Sequence, residues 1–193
     1  MNIYRAVFSP MQVNTYIITG NGKECVIIDC GCYVGAEEQK LEEMLSARRL
    51  KPVMLIDTHC HLDHVFGNRF MLERYGLRPW FHEGDRHNYQ NAPKQSLMFG
   101  LSMEPQPDPE GYLSDGQVIS AAGVTLTVIA VPGHSPGGIA FYSATDGVVF
   151  TGDALFAGSI GRSDLPGGDH EQLMENIRER LFVLPPDTVA YHG

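Results

Sequence analysis

Val53-Met54-Leu55-Ile56-Asp57-Thr58-His59-Cys60-His61-Leu62-Asp63-His64 sets a short apolar run against a segment that holds three imidazoles and a carboxylate within six residues. Val53 to Ile56 reads as a short buried strand. The segment after it would be a poor choice for a core or for an ordinary surface loop. Alternate side chains of an extended segment point the same way, so His59, His61 and Asp63 would converge while His64 turns to the neighbouring direction. Imidazoles and carboxylates are the donors that hold divalent cations, and two directions of donors suit two adjacent cations better than one. Cys60, pointing opposite to both of its neighbours, is expected to pack.

Working outward, Asn2 to Phe8, Val13 to Thr19 and Cys25 to Asp29 are rich in β-branched and aromatic residues and read as strands. Gly20-Asn21-Gly22 supplies a hairpin turn between the last two. Ala36 to Leu50 has helical periodicity, with Leu41, Met44 and Leu45 on one face, and Pro52 is expected to end that helix. Asn68 to Tyr75 reads as a second helix that stops at Gly76. Glu83 to Gly111, carrying Pro93, Pro105, Pro107 and Pro109, reads as a long irregular excursion in which Tyr89, Lys94, Gln95 and Phe99 would form a substrate wall. Strands resume at Gln117 to Ile119, Val124 to Val131, Ile139 to Ser143 and Val148 to Thr151. Asp169 and Gln172 have capping-box spacing at the start of a third helix with a buried stripe of Leu173, Ile177 and Leu181, and Thr188 to Tyr191 is a last strand. Hairpins dominate both halves, which fits an αββα sandwich of two mixed β-sheets flanked by helices better than a doubly wound parallel sheet.

Two further strand ends carry donor-type residues. His134 sits in the glycine-rich turn Val131-Pro132-Gly133-His134-Ser135-Pro136-Gly137-Gly138, and Asp153 follows Thr151-Gly152. Each alone is weak, but three strand ends offering ligands is a common way for a rigid scaffold to hold a site. Asp29, ending its strand, is either a partner that orients an imidazole or a turn residue. Arg162 and Asp164 are expected to pair and brace their loop. His82, His87 and His170 have no ligand-like companions.

The run T-H-x-H-x-D-H, then G-H-S-P-G-G, T-G-D-A-L-F and G-R-S-D-L-P-G-G-D, resembles the metallo-β-lactamase fold superfamily, and within it the short form of the glyoxalase II (hydroxyacylglutathione hydrolase) branch. The resemblance implies one αββα domain over residues 1–193 that holds two divalent cations, usually zinc and sometimes iron or manganese. By motif, it implies that His59, His61 and His134 hold the first, that Asp63 and His64 hold the second, and that Asp153 bridges them. It further implies hydrolysis of an S-acyl-glutathione-like thioester by a metal-bound hydroxide, with Asp63 orienting the nucleophile. Two other readings stand beside this one: a mononuclear iron persulfide dioxygenase, and a non-catalytic metal-binding module.

The sequence departs from the family where a late P-G-H-G motif supplies one more ligand. His192 falls on the family's proline and Gly193 on the glycine, so the expectation is a domain lacking its C-terminal end, with His192 as a substitute ligand the other possibility.

The bulk numbers set limits on these readings. A chain of 193 residues with 43% hydrophobic content can build a core without staples. Its 23 acidic against 14 basic residues give a formal charge of −9, which argues against a nucleic-acid partner; the small thioester partner is what the resemblance implies. No apolar run is long enough to span a membrane and no signal peptide is evident, so a soluble cytoplasmic protein is the expectation. Cys25, Cys30, Cys32 and Cys60 are expected to be free thiols.

Overall fold

The computed structural model describes residues 1–193. The first half of the chain forms a six-stranded sheet whose spatial order is its sequence order: β1 (Asn2–Phe8), β2 (Val13–Thr19), β3 (Glu24–Ile28), β4 (Lys51–Ile56), β5 (Pro79–His82) and β6 (Gly111–Leu113). The first three strands pair antiparallel and the rest parallel. Four helices connect them: α1 (Gly35–Arg48), the single turn α2 (Leu62–Val65), α3 (Asn68–Tyr75) and α4 (Arg86–Met98). The second half forms a five-stranded sheet from β7 (Val118–Ala121), β8 (Val124–Ala130), β9 (Ile139–Ser143) and β10 (Val148–Gly152), closed after the small hairpin β11 (Leu155–Phe156) and β12 (Ser159–Ile160) and helix α5 (His170–Asn176) by β13 (Val189–His192) beside β10.

Side-chain alternation makes this a sandwich. Tyr16, Ile18, Val26, Ile28 and Ile56 point inward from the first sheet and meet Leu126, Val128, Phe141 and Phe150 of the second. Their neighbours Ile17, Cys25, Ile27 and Leu55 point outward, under Leu41 and Leu45 of α1 and Met71 of α3. On the far side Ile129, Ala140 and Val149 are covered by Leu173, Ile177 and Leu181. Each large apolar side chain so buried stabilises the fold by about 1.5–3 kcal/mol. The αββα layering expected from the sequence is therefore the observed one.

Two expectations need correction. The excursion from Glu83 to Gly111 is not irregular throughout: Arg86–Met98 is helical, because Asn88, Tyr89, Ala92 and Ser96 form a buried stripe that outweighs the interior Pro93. Pro52 does not end α1. That helix closes at Arg49, in the left-handed conformation at φ 54°, and Pro52 lies inside β4, opposite Cys25 at a register shift where a missing N–H is tolerated. The short strands β5, β6, β11 and β12 lack the length for a periodic signal. All four cysteines are free and buried, as expected.

Candidate metal centre

The loop after β4 delivers the first donors. His61 is still extended (φ −67°, ψ 150°) and caps α2, so the alternation that aims His59 and His61 alike stops there. The helical turn is driven by Leu62 and Val65, which pack into a cluster with Phe66, Phe81 and Tyr89. That turn corrects the expectation of a fully extended motif. It separates Asp63 from His59 and His61 and swings His64 inward.

His59, His61 and His134 bring three ring nitrogens to one point. His134 Nε2 lies 3.1 Å from His59 Nε2 and 2.8 Å from His61 Nδ1. Nitrogens bound tetrahedrally at about 2.05 Å from one cation would stand about 3.3 Å apart, so the spacing suits a shared ion. The tautomers suit it as well. His134 Nδ1 lies 2.6 Å from the Arg162 carbonyl oxygen, which can only accept, so Nδ1 carries the proton and Nε2 offers a lone pair. All three rings are held neutral. Burial pushes the His59 pKa well down, helped by His64, His134 and His61; it takes His61 down to about 3; and it lowers His134.

A second group faces the first. His59, His64 and Asp153 also place donor atoms within 4.8 Å of one another. Asp153 stands between the groups, Oδ1 lying 3.3 Å from His64 Nε2 and Oδ2 3.7 Å from His134 Nε2. Asp63 reaches His64 Nε2 only at 3.9 Å and joins neither cluster, although it lines the same cavity. Burial alone would lower the His64 pKa, but Asp153, Asp29 and Asp63 outweigh it and raise it well above its ordinary value. Both His64 nitrogens are buried and make no hydrogen bond of acceptable geometry. An imidazole that faces carboxylates without a well-formed hydrogen bond fits a divalent cation, and so does the facing triplet of neutral nitrogens.

Three supports fix the loops. Asp29 accepts from the Thr58 N–H at 2.6 Å and the Thr58 hydroxyl at 2.7 Å, and sets Oδ2 3.0 Å from His64 Nδ1. It therefore acts on an imidazole and is also a turn residue, at φ 53°. Asp85 was not singled out in the sequence. Fully buried, it accepts from the Cys60 N–H and from the Gly137 N–H, both at 2.7 Å, and so ties the His59–His64 loop to the His134 loop. An Asp before a helix is too common a signal to reveal this. Gly161 permits the third loop to approach, since a Cβ there would fall 1.8 Å from the Asp153 carbonyl oxygen and 2.9 Å from His134 Nδ1.

Other expected residues fall elsewhere. The His192 ring sits 5.3 Å from that of Phe156, and its backbone carbonyl accepts from Tyr16 and Asn14; it is in neither donor group. Gly193 is the residue beside the second group, where a Cβ would lie 2.3 Å from Asp153 Oδ1. Gln95 and Phe99 line the cavity above the donors, whereas Tyr89 and Lys94 line a separate cleft. Arg162 and Asp164 form the expected brace, with two hydrogen bonds of 2.8 Å.

Comparison with known proteins agrees with this geometry. The family model described as the metallo-beta-lactamase superfamily matches residues 8–193. The chain is 33% identical to the hydroxyacylglutathione hydrolase GloC of Haemophilus influenzae over all of its own length and 90% of the relative's. Among solved structures it is similar to TTHA1623 in a di-iron-bound form (TM-score 0.88, 35% identity, 98% of this chain and 91% of that one). It is also similar to the BLEG-1 B3 metallo-beta-lactamase (TM-score 0.89, 29% identity, 100% and 91%). With its two facing donor groups on the loops of an αββα sandwich, and a family match over nearly its whole length, the chain belongs to the metallo-β-lactamase superfamily.

Proposed function

We propose that this metallo-hydrolase cleaves thioesters of the S-acyl-glutathione type in the cytoplasm, with two divalent cations, zinc in the first instance, as cofactors. The observation that carries the reading is the pair of donor groups meeting at Asp153 on the floor of an open cavity of about 560 Å³, a size suited to a small-molecule substrate. The identity with GloC over the full chain supports the choice of substrate.

His59, His61 and His134 would hold one cation and His64 the other, with Asp153 shared between them and Asp63 beside them on the cavity wall. Divalent cations held there supply Lewis acidity toward a carbonyl oxygen and make a water nucleophile available near neutral pH. Asp63, on the cavity wall, orients the attacking water and receives its proton. Water oxygen bonds to the acyl carbon, the carbon–sulfur bond breaks, and the thiolate leaves with the proton that Asp63 took, giving an acid and a thiol. Asn88 and Gln95 present amides to the same cavity and can hydrogen-bond a peptide-like carrier.

Elemental analysis of the purified chain, run in parallel with S-lactoylglutathione hydrolysis, tests the reading. Stoichiometric metal and turnover that a chelator abolishes are expected. A metal-loaded chain that leaves this and other thioesters intact overturns it, and oxygen uptake with glutathione persulfide would replace it with the iron dioxygenase alternative.

A further inference from the structure

The cavity above the donors is walled by segments from four parts of the chain. Met11 comes from the β1–β2 turn, Met98 and Phe99 from the end of α4, Phe156 from β11, and Leu165 and Pro166 from the loop before α5. Met98 is 84% exposed and Phe99 58%, although both belong to an apolar class that a chain of this size can bury. Methionine and phenylalanine at a cavity mouth make a deformable apolar surface with no fixed hydrogen-bonding demand.

The charge pattern points the same way. Of the chain's 14 lysines and arginines, only Arg162 lines the cavity, and its guanidinium is already held by both oxygens of Asp164. Arg86 and Lys94 of α4 line the separate cleft. A carrier bearing carboxylates, such as glutathione, therefore meets neutral amides and an occupied arginine in a protein of net charge −9.

We infer that the Met11, Met98, Phe99 and Phe156 wall makes the acyl group the specificity determinant, so that the site takes thioesters with apolar acyl chains of several carbons and gains little from the charge of the thiol carrier. The inference rests on the thioesterase reading above and names its substrate class. An acyl chain laid along the wall loses water from each methylene, whereas a carboxylate at the mouth remains solvated and screened.

Two measurements test it on the metal-loaded chain. The first is kcat/KM for acetyl, butanoyl, hexanoyl and octanoyl thioesters of glutathione and of uncharged N-acetylcysteamine. A rise of about two- to fourfold per added methylene is expected, as partial to full burial implies, with similar values on the two carriers. The Met98→Ser/Phe99→Ser double variant should flatten the series. A flat series in the wild type, or a preference for the glutathione carrier above about tenfold, overturns the inference. The second is calorimetric binding of S-methylglutathione and S-hexylglutathione, thioethers that cannot be hydrolysed. Tighter binding of the hexyl compound by tenfold or more is expected, and equal binding overturns the inference. If no thioester turns over while the hexyl thioether still binds more tightly, the thioesterase reading fails and the apolar wall stands.

Discussion

The two donor groups share a loop and differ in charge. His59, His61 and His134 are neutral rings whose lone pairs face one another, so a cation can enter without displacing a proton. His64 is surrounded by the carboxylates of Asp153, Asp29 and Asp63, which raise its pKa well above the ordinary value, so a cation there competes with a proton for the ring. One helical turn at Leu62 sends His59 and His61 toward His134 and His64 toward Asp153 and Asp29. The difference makes the first group the expected high-affinity position and the second the one sensitive to its surroundings.

The comparison can be broken outright at its shared edge. His134→Ala removes a donor from the first group and a neighbour of Asp153, and hydrolysis should fall on the order of a thousandfold or more, with loss of bound metal by elemental analysis. Asp85→Ala leaves the Cys60 and Gly137 N–H groups buried and unpaired. Urea unfolding should show about 2–4 kcal/mol of destabilisation, and Asp85→Asn, which keeps one acceptor, should recover part of it. Asp29→Asn acts unequally on the two groups, since Asp29 faces His64 directly at 3.0 Å and reaches the first group only through the Thr58 N–H and hydroxyl it holds. The weaker cation affinity should drop about 10- to 100-fold while the tighter one falls less, as read by chelator competition.

A smaller effect separates the groups by pH in the metal-free protein. The three neutral rings have folded pKa values below their unfolded ones. Their contribution is complete above about 6.5 and is lost as pH falls, for His61 through a folded value of about 3. His64, raised on folding, acts oppositely: its contribution is complete below about 6.5 and is lost as pH rises through its elevated folded value. Thermal melts of chelated protein should therefore decline on both the acid and the alkaline side, and His64→Gln should lessen the alkaline decline, leaving the part set by buried thiols such as Cys25.

Much of this was legible from residues. The strands Asn2–Phe8, Val13–Thr19 and Ile139–Ser143 and the helix Asn68–Tyr75 follow directly from apolar pattern and turn residues. The donor types declared themselves because imidazoles crowded at a strand end have few other uses. What could not be read was anything set by long-range closure. Asp85 gains its role only when the loops of residues 60 and 137 meet, and α4 forms around Pro93 only because Tyr89 and Ala92 find a core to fill. The placing of Asp63 outside both clusters depends on a turn that begins one residue earlier than strand alternation allows.

The two sheets divide cleanly along the chain, the first drawn from residues 2–113 and the second from 118–192. During synthesis the first half can therefore leave the ribosome and pair its strands in order before the second half exists. At that stage His59, His61 and His64 are present and their partners His134 and Asp153 have yet to be made. The cation site thus comes into being only when the halves dock, so divalent metal should speed or lock the last step of refolding while leaving the earlier steps unchanged.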